Sequence, residues 1–331
     1  MKKSNKVDVV AIVVTYQPEL KILGQLLDAL IPQVKSIIIV DNGSQADLHA
    51  WNDQRKTPAI QLLLLSENKG IAAAHNAGIQ FALDNRADYA LLMDQDSLPA
   101  QDMVEKLIFA LLEAEKTTEA KPLAAGPVYV DSRTGTKSFF VIERDGMPTR
   151  FYPDLSLINE GFLLDVSYLI SSGTLIDLKR LKIVGGMRSN YFIDHVDTEW
   201  CFRARDKGYI LLGVLDAEMQ HFLGDKVSNV WFFGWRHVAY HCPLRDYYIF
   251  RNTLLMLHDV NMSVLWRVHF LWRLVQFSSY FLIFSPQRRE RFKYMFLGFF
   301  HGLRRISGKI DIKTVNCTQV KCSDIKHVNN D

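Results

Sequence analysis

Asp94-Gln95-Asp96 places two carboxylates one residue apart, directly after the apolar run Tyr-Ala-Leu-Leu-Met. Hard oxygen ligands in that spacing can share one Mg²⁺ or Mn²⁺. Such a cation would bridge the phosphates of a nucleotide diphosphate and offset the charge that grows as the leaving group departs. The tripeptide alone equally describes a solvated turn; its place at the exit of an apolar run is what points to a ligand edge. Asp41 ends another apolar run and opens Asp-Asn-Gly-Ser. Its carboxylate could accept from a pyrimidine ring N–H, or simply form the turn. Glu67-Asn68-Lys69-Gly70 leads into an Ala-rich helical stretch carrying Asn76 and Gly78, and the free N–H groups of a helix start favour anions.

Further along, Asp194-His195-Val196-Asp197-Thr198-Glu199 crowds three acids at the start of a helical pattern. The helix dipole favours negative charge there, and Glu199 can pair with Arg203 four residues on. Capping needs one acid, however, and an acceptor hydroxyl needs a general base, a role that suits a carboxylate. His221 could complete a metal shell begun by two carboxylates, and Arg245 and Arg251 could hold phosphate oxygens. A lone His is more often structural, so His221 draws its weight from the acids.

These groups need elements to position them. Residues 9–15 are β-branched and read as a buried strand; Leu20, Leu23, Leu27 and Leu30 follow at helical spacing. Strands are expected at 36–40, 62–65 and 89–93, with an Ala-rich helix over 70–83. Alternating strand and helix is the pattern of a mostly parallel α/β sheet with helices on both faces. In such sheets ligands bind beyond the carboxyl ends of the strands. Thr15-Tyr16, Asp41-Asn42-Gly43-Ser44 and Asp94-Gln95-Asp96 each follow a strand and so converge on one edge. Residues 132–167 read as loop-rich, with structure resuming over 168–173; a helix is expected over 194–207 and a strand over 210–214.

The chain has 331 residues, 48% of them hydrophobic, and a net charge of +3. Residues 264–331 hold 12 basic and 4 acidic residues, while the preceding 263 hold 27 and 32. Phe292, Met295, Phe296, Phe299, Phe300 and Leu303 recur at helical spacing, with Arg288, Arg289, Arg291, Lys293, Arg304 and Arg305 beside them. Residues 264–284 are apolar, but Arg267, His269 and Arg273 interrupt them, short of the ~18 apolar residues of a span. An aromatic face with basic flanks fits a helix lying in a membrane interface; the plainer alternative is a helix hairpin packed on the main domain. No nucleic-acid motif accompanies the basic residues. Four cysteines without C-x-x-C spacing argue against a disulfide framework, and the polar start leads to an expectation of a cytoplasmic protein.

Taken together, Val-Val-Thr-Tyr, Val-Asp-Asn-Gly-Ser, Glu-Asn-Lys-Gly-Ile-Ala-Ala-Ala-His-Asn-Ala-Gly-Ile, the paired aspartates and the later acidic helix resemble family 2 glycosyltransferases. Within that family, Phe-Ile-Asp-His-Val-Asp-Thr-Glu-Trp-Cys-Phe-Arg-Ala-Arg and Gln-His-Phe-Leu-Gly-Asp are similar to the bacterial rhamnosyltransferases. The resemblance implies a GT-A fold over residues 1–255, with a nucleotide-sugar half to about 130 and an acceptor half beyond, then a helical membrane-associating region over 256–331. It implies that Asp41 contacts the nucleotide base with Thr15 and Tyr16 nearby. Asn68, Lys69, Asn76, Arg245 and Arg251 join the nucleotide-sugar set. Asp94 and Asp96 would hold the metal diphosphate, with His221 as third ligand. Asp197 matches the aspartate of the family's Glu-Asp pair and would be the base; Val196 stands where the glutamate belongs, which keeps Asp194 as the alternative.

The implied activity is inverting transfer of L-rhamnose from dTDP-rhamnose to a polyprenyl-diphosphate-linked glycan, for O-antigen-type polysaccharide, on the cytoplasmic face of the inner membrane. A nucleotidyltransferase is one competing reading, but Thr-Tyr-Gln-Pro-Glu after the first strand lacks the glycines and basic residue that class usually carries there. A non-catalytic nucleotide-sugar-binding membrane scaffold is another, and it leaves the acids at 194–199 without a task.

Overall fold

β1 (Val9–Thr15) is buried along its whole length, as a β-branched run covered on both faces must be. It is followed by α1 (Leu20–Leu30), β2 (Ser36–Asp41), α2 (Leu48–Arg55), β3 (Ile60–Leu64), α3 (Ile71–Asp84), β4 (Tyr89–Asp94), β5 (Ser97–Pro99) and α4 (Met103–Thr117). Then come β6 (Lys121–Asp131), β7 (Phe140–Arg144), β8 (Met147–Phe151), β9 (Leu164–Asp165), β10 (Leu175–Asp177), α5 (Leu178–Val184), α6 (Val196–Asp206) and β11 (Tyr209–His221). β12 (Val227–Trp231), β13 (Trp235–Ala239), α7 (Pro243–Asp259), α8 (Val264–Phe284) and α9 (Arg288–Leu303) complete the chain. The computed structural model describes residues 7–55, 57–117, 119–132, 135–154, 163–221, 227–231, 235–239, 242–285 and 287–311, with backbone alone over 221–239.

The main sheet runs β3-β2-β1-β4-β10-β6-β11-β5, with β9 on β11. β3, β2, β1 and β4 are parallel, the short β10 is antiparallel to both neighbours, and β6 and β11 are parallel again. One face packs under α3, α5 and α6, the other under α1 and α4. Each buried Leu, Ile or Val contributes about 1.5–3 kcal/mol, so the sheet's edge is a rigid platform. The small Ala72 and Ala74 let α3 lie close to the sheet.

Some boundaries differ from the sequence reading. The third strand is Ile60–Leu64, not 62–65. The middle segment includes the β7–β8 hairpin, and 168–173 is irregular chain that ends in a turn at Ser172-Gly173. The helix expected from Asp194 starts at Val196, because Asp194 and His195 have φ of 63° and 59°. β11 runs to His221, well past 214; register shifts near 210 and between 214 and 218 bend it around Asp216 and Glu218, whose polarity hid the strand. The expected boundary at 255/256 falls inside α7, and Leu255, Met256, Trp266 and Phe270 share the core beneath α6. The C-terminal helices therefore pack on the α/β body.

On α9 the apolar stripe is split. Met295 is buried, while Phe292, Phe296, Phe299, Phe300 and Leu303 are exposed. Arg291, Tyr294, Met295, Gly298 and Gly302 face inward. A Cβ on Gly298 would lie 2.3 Å from the Tyr247 carbonyl oxygen, so glycine there lets α9 press onto α7. Beyond α9 the chain returns over the body. Gly308 N–H donates to Asn190 O (2.6 Å), Lys309 Nζ to Asn68 O (3.0 Å) and Ile310 N–H to Tyr248 Oη (3.1 Å).

His75 on α3 is fully buried, and neither ring nitrogen has a hydrogen-bond partner. Burial lowers its pKa to about 4. The unfolded chain takes up a proton as pH falls below about 6.5, whereas the folded chain resists until about 4. Stability therefore falls across that window, by roughly 3 kcal/mol from this group. Urea unfolding at pH 7 and pH 4 should show the loss, and His75→Leu should shrink the pH dependence by that amount.

Candidate active site

Three neighbouring strands end together. Thr15 of β1 is in register with Asp41 of β2, and Val14 with Asp94 of β4. Adjacent strands lie about 4.8 Å apart, so the Asp41 and Asp94 exits flank β1 on the order of 10 Å from each other. Asp41 is only 3% exposed. Its Oδ1 accepts from Thr15 Oγ1 (2.8 Å) and from the Ser44 hydroxyl, and its Oδ2 accepts the Ser44 N–H (2.8 Å). A carboxylate has about four acceptor sites; three are taken within the protein. Thr15 is fully buried, so it orients Asp41 and does not itself face a ligand, a correction to its expected place in the nucleotide set.

Tyr16 does face outward, at 48% exposure. Gln95 clasps its backbone: Oε1 accepts the Tyr16 N–H (2.7 Å) and Nε2 donates to the Tyr16 carbonyl (3.2 Å). The loop before α3 is laced to β2 by Asn42, which accepts the Lys69 N–H (2.8 Å) and donates to Asn68 Oδ1 (3.2 Å). Asn68 Oδ1 also accepts the Gly70 N–H (3.0 Å), and the Ile71 N–H donates to Phe192 O (2.8 Å). The Asn68 side chain thus shapes this loop, and part of the helix start expected to meet an anion is closed by residue 192. Asn76 is a second correction. Its amide accepts the Met187 N–H (2.8 Å) and donates to Met187 O (2.7 Å) and Ser189 Oγ (3.1 Å), which pins α3 to the segment between α5 and α6.

The segment at 168–173 joins the two halves of the site. The Ser171 N–H donates to Asp197 Oδ2 (3.2 Å). Ser172 Oγ accepts the Asp94 N–H (3.0 Å) and meets Ser97 Oγ at 2.9 Å, while Ser172 O accepts from the Tyr129 hydroxyl (2.7 Å). Gly173 has φ +74°, and a Cβ there would sit 2.7 Å from Pro127 Cγ. Gly173→Val should cost about 1–3 kcal/mol from the backbone alone, and a displaced turn should lower kcat as well. Urea unfolding and steady-state kinetics check both.

Asp94 ends β4, and Asp96 directly precedes β5. β11 is antiparallel to β5 with His221 opposite Ser97, which sets the His221 backbone beside the Asp96 turn. Among the described side chains no group of three His, Cys, Asp or Glu is gathered for a metal; the His221 side chain lies outside that description. Two carboxylates with a histidine position alongside form a donor set that fits Mg²⁺ or Mn²⁺.

Asp194 and Asp197 are treated differently. The Arg245 guanidinium holds Asp194 at 2.6 Å and 3.3 Å. Asp197, in the first turn of α6, is half-buried and accepts N–H groups from Ser171 and Thr198 (2.7 Å). Burial pushes its pKa up, against the pull of those hydrogen bonds. Glu199 is fully buried between Arg188 and Arg203, each 2.8 Å away, and is structural. Arg245, expected on phosphate, is thus committed to an acid. Arg251, expected to do the same, is fully buried. It donates to Tyr191 O (2.9 Å) and to Gly308 O, and lies 4.8 Å over the Tyr248 ring. A guanidinium so enclosed cannot meet a ligand. Asn252 was not singled out by the sequence reading, yet it donates to Tyr191 O, Ile193 O and Asp194 O at 2.9, 2.6 and 2.9 Å. It braces a turn in which Phe192, Asp194 and His195 all have positive φ.

Residues 10–136 match the model of glycosyl transferase family 2. The chain is 32% identical over 310 residues to dTDP-rhamnosyl transferase RfbF of Shigella flexneri, covering 91% of this chain and 97% of that one. The chain belongs to glycosyltransferase family 2. Among solved structures, this glycosyltransferase is similar to S. aureus TarS 1–349 in complex with UDP-GlcNAc (TM-score 0.55, 16% identity, 91% of this chain and 82% of that one). It is also similar to GalNAc-T7 with UDP, GalNAc and Mn²⁺ (TM-score 0.52, 12% identity), covering 65% of this chain and 43% of that longer one. These likenesses give the GT-A fold, as the sequence resemblance implied. An enzyme of this family is neither a nucleotidyltransferase nor a non-catalytic scaffold.

Proposed function

We propose that this glycosyltransferase moves L-rhamnose from dTDP-rhamnose to a lipid-linked glycan, with inversion, during assembly of O-antigen-type polysaccharide. The observation that carries the reading is the near full-length likeness to RfbF, a dTDP-rhamnosyl transferase. The complex of TarS with UDP-GlcNAc and that of GalNAc-T7 with UDP and Mn²⁺ support a nucleotide-sugar donor and a divalent cation on this fold.

Tyr16 and Asp41 would receive the thymine ring, Asp41 accepting from its N–H, and the diphosphate would run past the end of β1, which the Asp41 and Asp94 exits flank. Asp94, Asp96 and His221 would hold a divalent cation, which would supply positive charge for the departing diphosphate. Asp197 takes the proton from the acceptor hydroxyl; Asp194, neutralised by Arg245, orients the turn. The hydroxyl attacks the anomeric carbon from the side opposite the diphosphate, in one displacement that inverts the centre.

The exposed apolar side of α8 (Val264, Val268, Leu271, Trp272, Val275) and the ladder Phe292–Phe296–Phe300 on α9 support docking on the cytoplasmic face of the inner membrane. Among the described residues no helix is long and apolar enough to cross a membrane. The donor is tested by incubating the protein with a panel of nucleotide sugars and Mg²⁺ or Mn²⁺. Preferential hydrolysis of, and heat protection by, dTDP-rhamnose is expected, and both should vanish in excess chelator. Preference for another donor overturns the rhamnose assignment, and full turnover in chelator overturns the cation.

A further inference from the structure

The acceptor side carries positive charge that the donor chemistry does not use. His269 and Arg273 lie one turn apart on α8, and Arg150 reaches the same locale from β8, which packs on α8. The Arg150 guanidinium sits 4.5 Å over the half-exposed Phe139 ring. The Tyr168 ring lies 6.5 Å from Trp266, and Trp266 lies 5.7 Å from the His269 ring. Glu143, an acid of the β7–β8 hairpin, accepts from the Trp266 indole at 2.6 Å. Partial burial, then the Arg273 and Arg150 charges, lower the pKa of His269, so the two guanidinium groups carry the positive charge here. Asp197's own hydrogen-bond partners are Ser171 and Thr198, which leaves the cluster outside the base's support.

The same helix presents Val264, Val268, Leu271, Trp272 and Val275 to the outside. Cations and an apolar strip on one helix match an amphiphile with an anionic head and a hydrocarbon chain. We propose that Arg150, His269 and Arg273 form the site for the diphosphate of an isoprenoid-linked acceptor, with the isoprenoid chain along the outer side of α8. This rests on the lipid-linked acceptor proposed above and gives it an address. Paired guanidinium groups suit phosphate oxygens.

The test uses the full chain, with farnesyl diphosphate, inorganic pyrophosphate and farnesol as probes, titrated by calorimetry with Mg²⁺ and saturating dTDP present to fill the donor side. Farnesyl diphosphate is expected to bind at least tenfold more tightly than either other probe. Arg150→Ala with Arg273→Ala should weaken it at least tenfold, and Arg273→Lys only a few-fold, with circular dichroism and Tm confirming the fold of each. Equal binding by wild type and the double variant overturns the site. Pyrophosphate binding as tight as farnesyl diphosphate overturns the lipid assignment and leaves only a free-anion site. Heat protection by dTDP-rhamnose with Mg²⁺, measured on separate samples of the same proteins without dTDP, reads the donor separately: its loss with farnesyl diphosphate binding intact overturns the donor, and its presence without such binding overturns the inference made here.

Discussion

Asp197→Asn should lower sugar transfer by about 10²–10⁴-fold, the range a positioned general base supplies, with donor affinity unchanged. The substitution keeps the size of the side chain but only one acceptor oxygen of two, so either the Ser171 or the Thr198 N–H loses its partner, a modest stability cost that Tm reads separately. What is lost is the proton sink. Asp194→Asn is the control: its carboxylate is neutralised by Arg245, so the loss should be smaller and should reflect a loosened turn. A larger loss at Asp194 would reverse the two roles. The pH profile separates them further. Burial raises the Asp197 pKa, and the carboxylate form is the active one. Rate therefore falls as pH drops through the raised pKa, and the acid limb of kcat/KM lies above the usual carboxylate range near 4. That limb should be absent in Asp197→Asn.

Arg291→Ala should cost about 3–5 kcal/mol of stability, the loss expected when one partner of a buried ion pair is removed. Arg291 Nη1 donates to both carboxylate oxygens of Asp246 at 2.9 Å, its Nε donates to Ser285 Oγ at 3.0 Å, and its guanidinium lies 4.3 Å over Phe281. Asp246 is fully buried, so the variant strands a carboxylate without its counter-charge. Urea unfolding measures the loss. Replacing both partners, as Arg291→Met with Asp246→Leu, should recover most of it, because well-packed apolar groups often match a buried pair. Failure of the double variant to recover would assign the loss to packing on Phe281. Cutting the chain before Arg288 would remove this clamp too, so membrane binding is better probed with Phe292→Ser and Phe296→Ser, whose rings are exposed.

The parallel half of the sheet was legible because a β-branched run buried on both faces has few alternatives: β1, β2 and β4 lie where the apolar runs placed them. The convergence of Asp41 and Asp94 followed from topology. The division of labour among polar groups was not legible. Arg245 and Arg251 stand six residues apart on one helix and look alike in sequence, yet one meets Asp194 and the other is sealed under Gly308, because their neighbours come from distant segments. Thr15 was sought at the nucleotide, but the strand pleat turns it inward to Asp41. The segment at 168–173 carries no periodicity, so its role in linking Asp94 to Asp197 emerges only from tertiary contacts. The only sequence hint was Ser171-Ser172-Gly173, a turn-forming cluster.

The return of residues 308–310 over Asn190, Asn68 and Tyr248 has a consequence for recombination among relatives. The nucleotide-sugar half proposed for roughly the first 130 residues makes an exchange of that segment an obvious route to hybrid enzymes. Residues 308–310 nevertheless grip Asn190 and the loop ahead of α3, so front and back halves are stitched to each other. A hybrid that swaps the front alone will carry a mismatched seam at Asn68 and Lys309, and crossovers that transfer both ends together should yield more folded offspring.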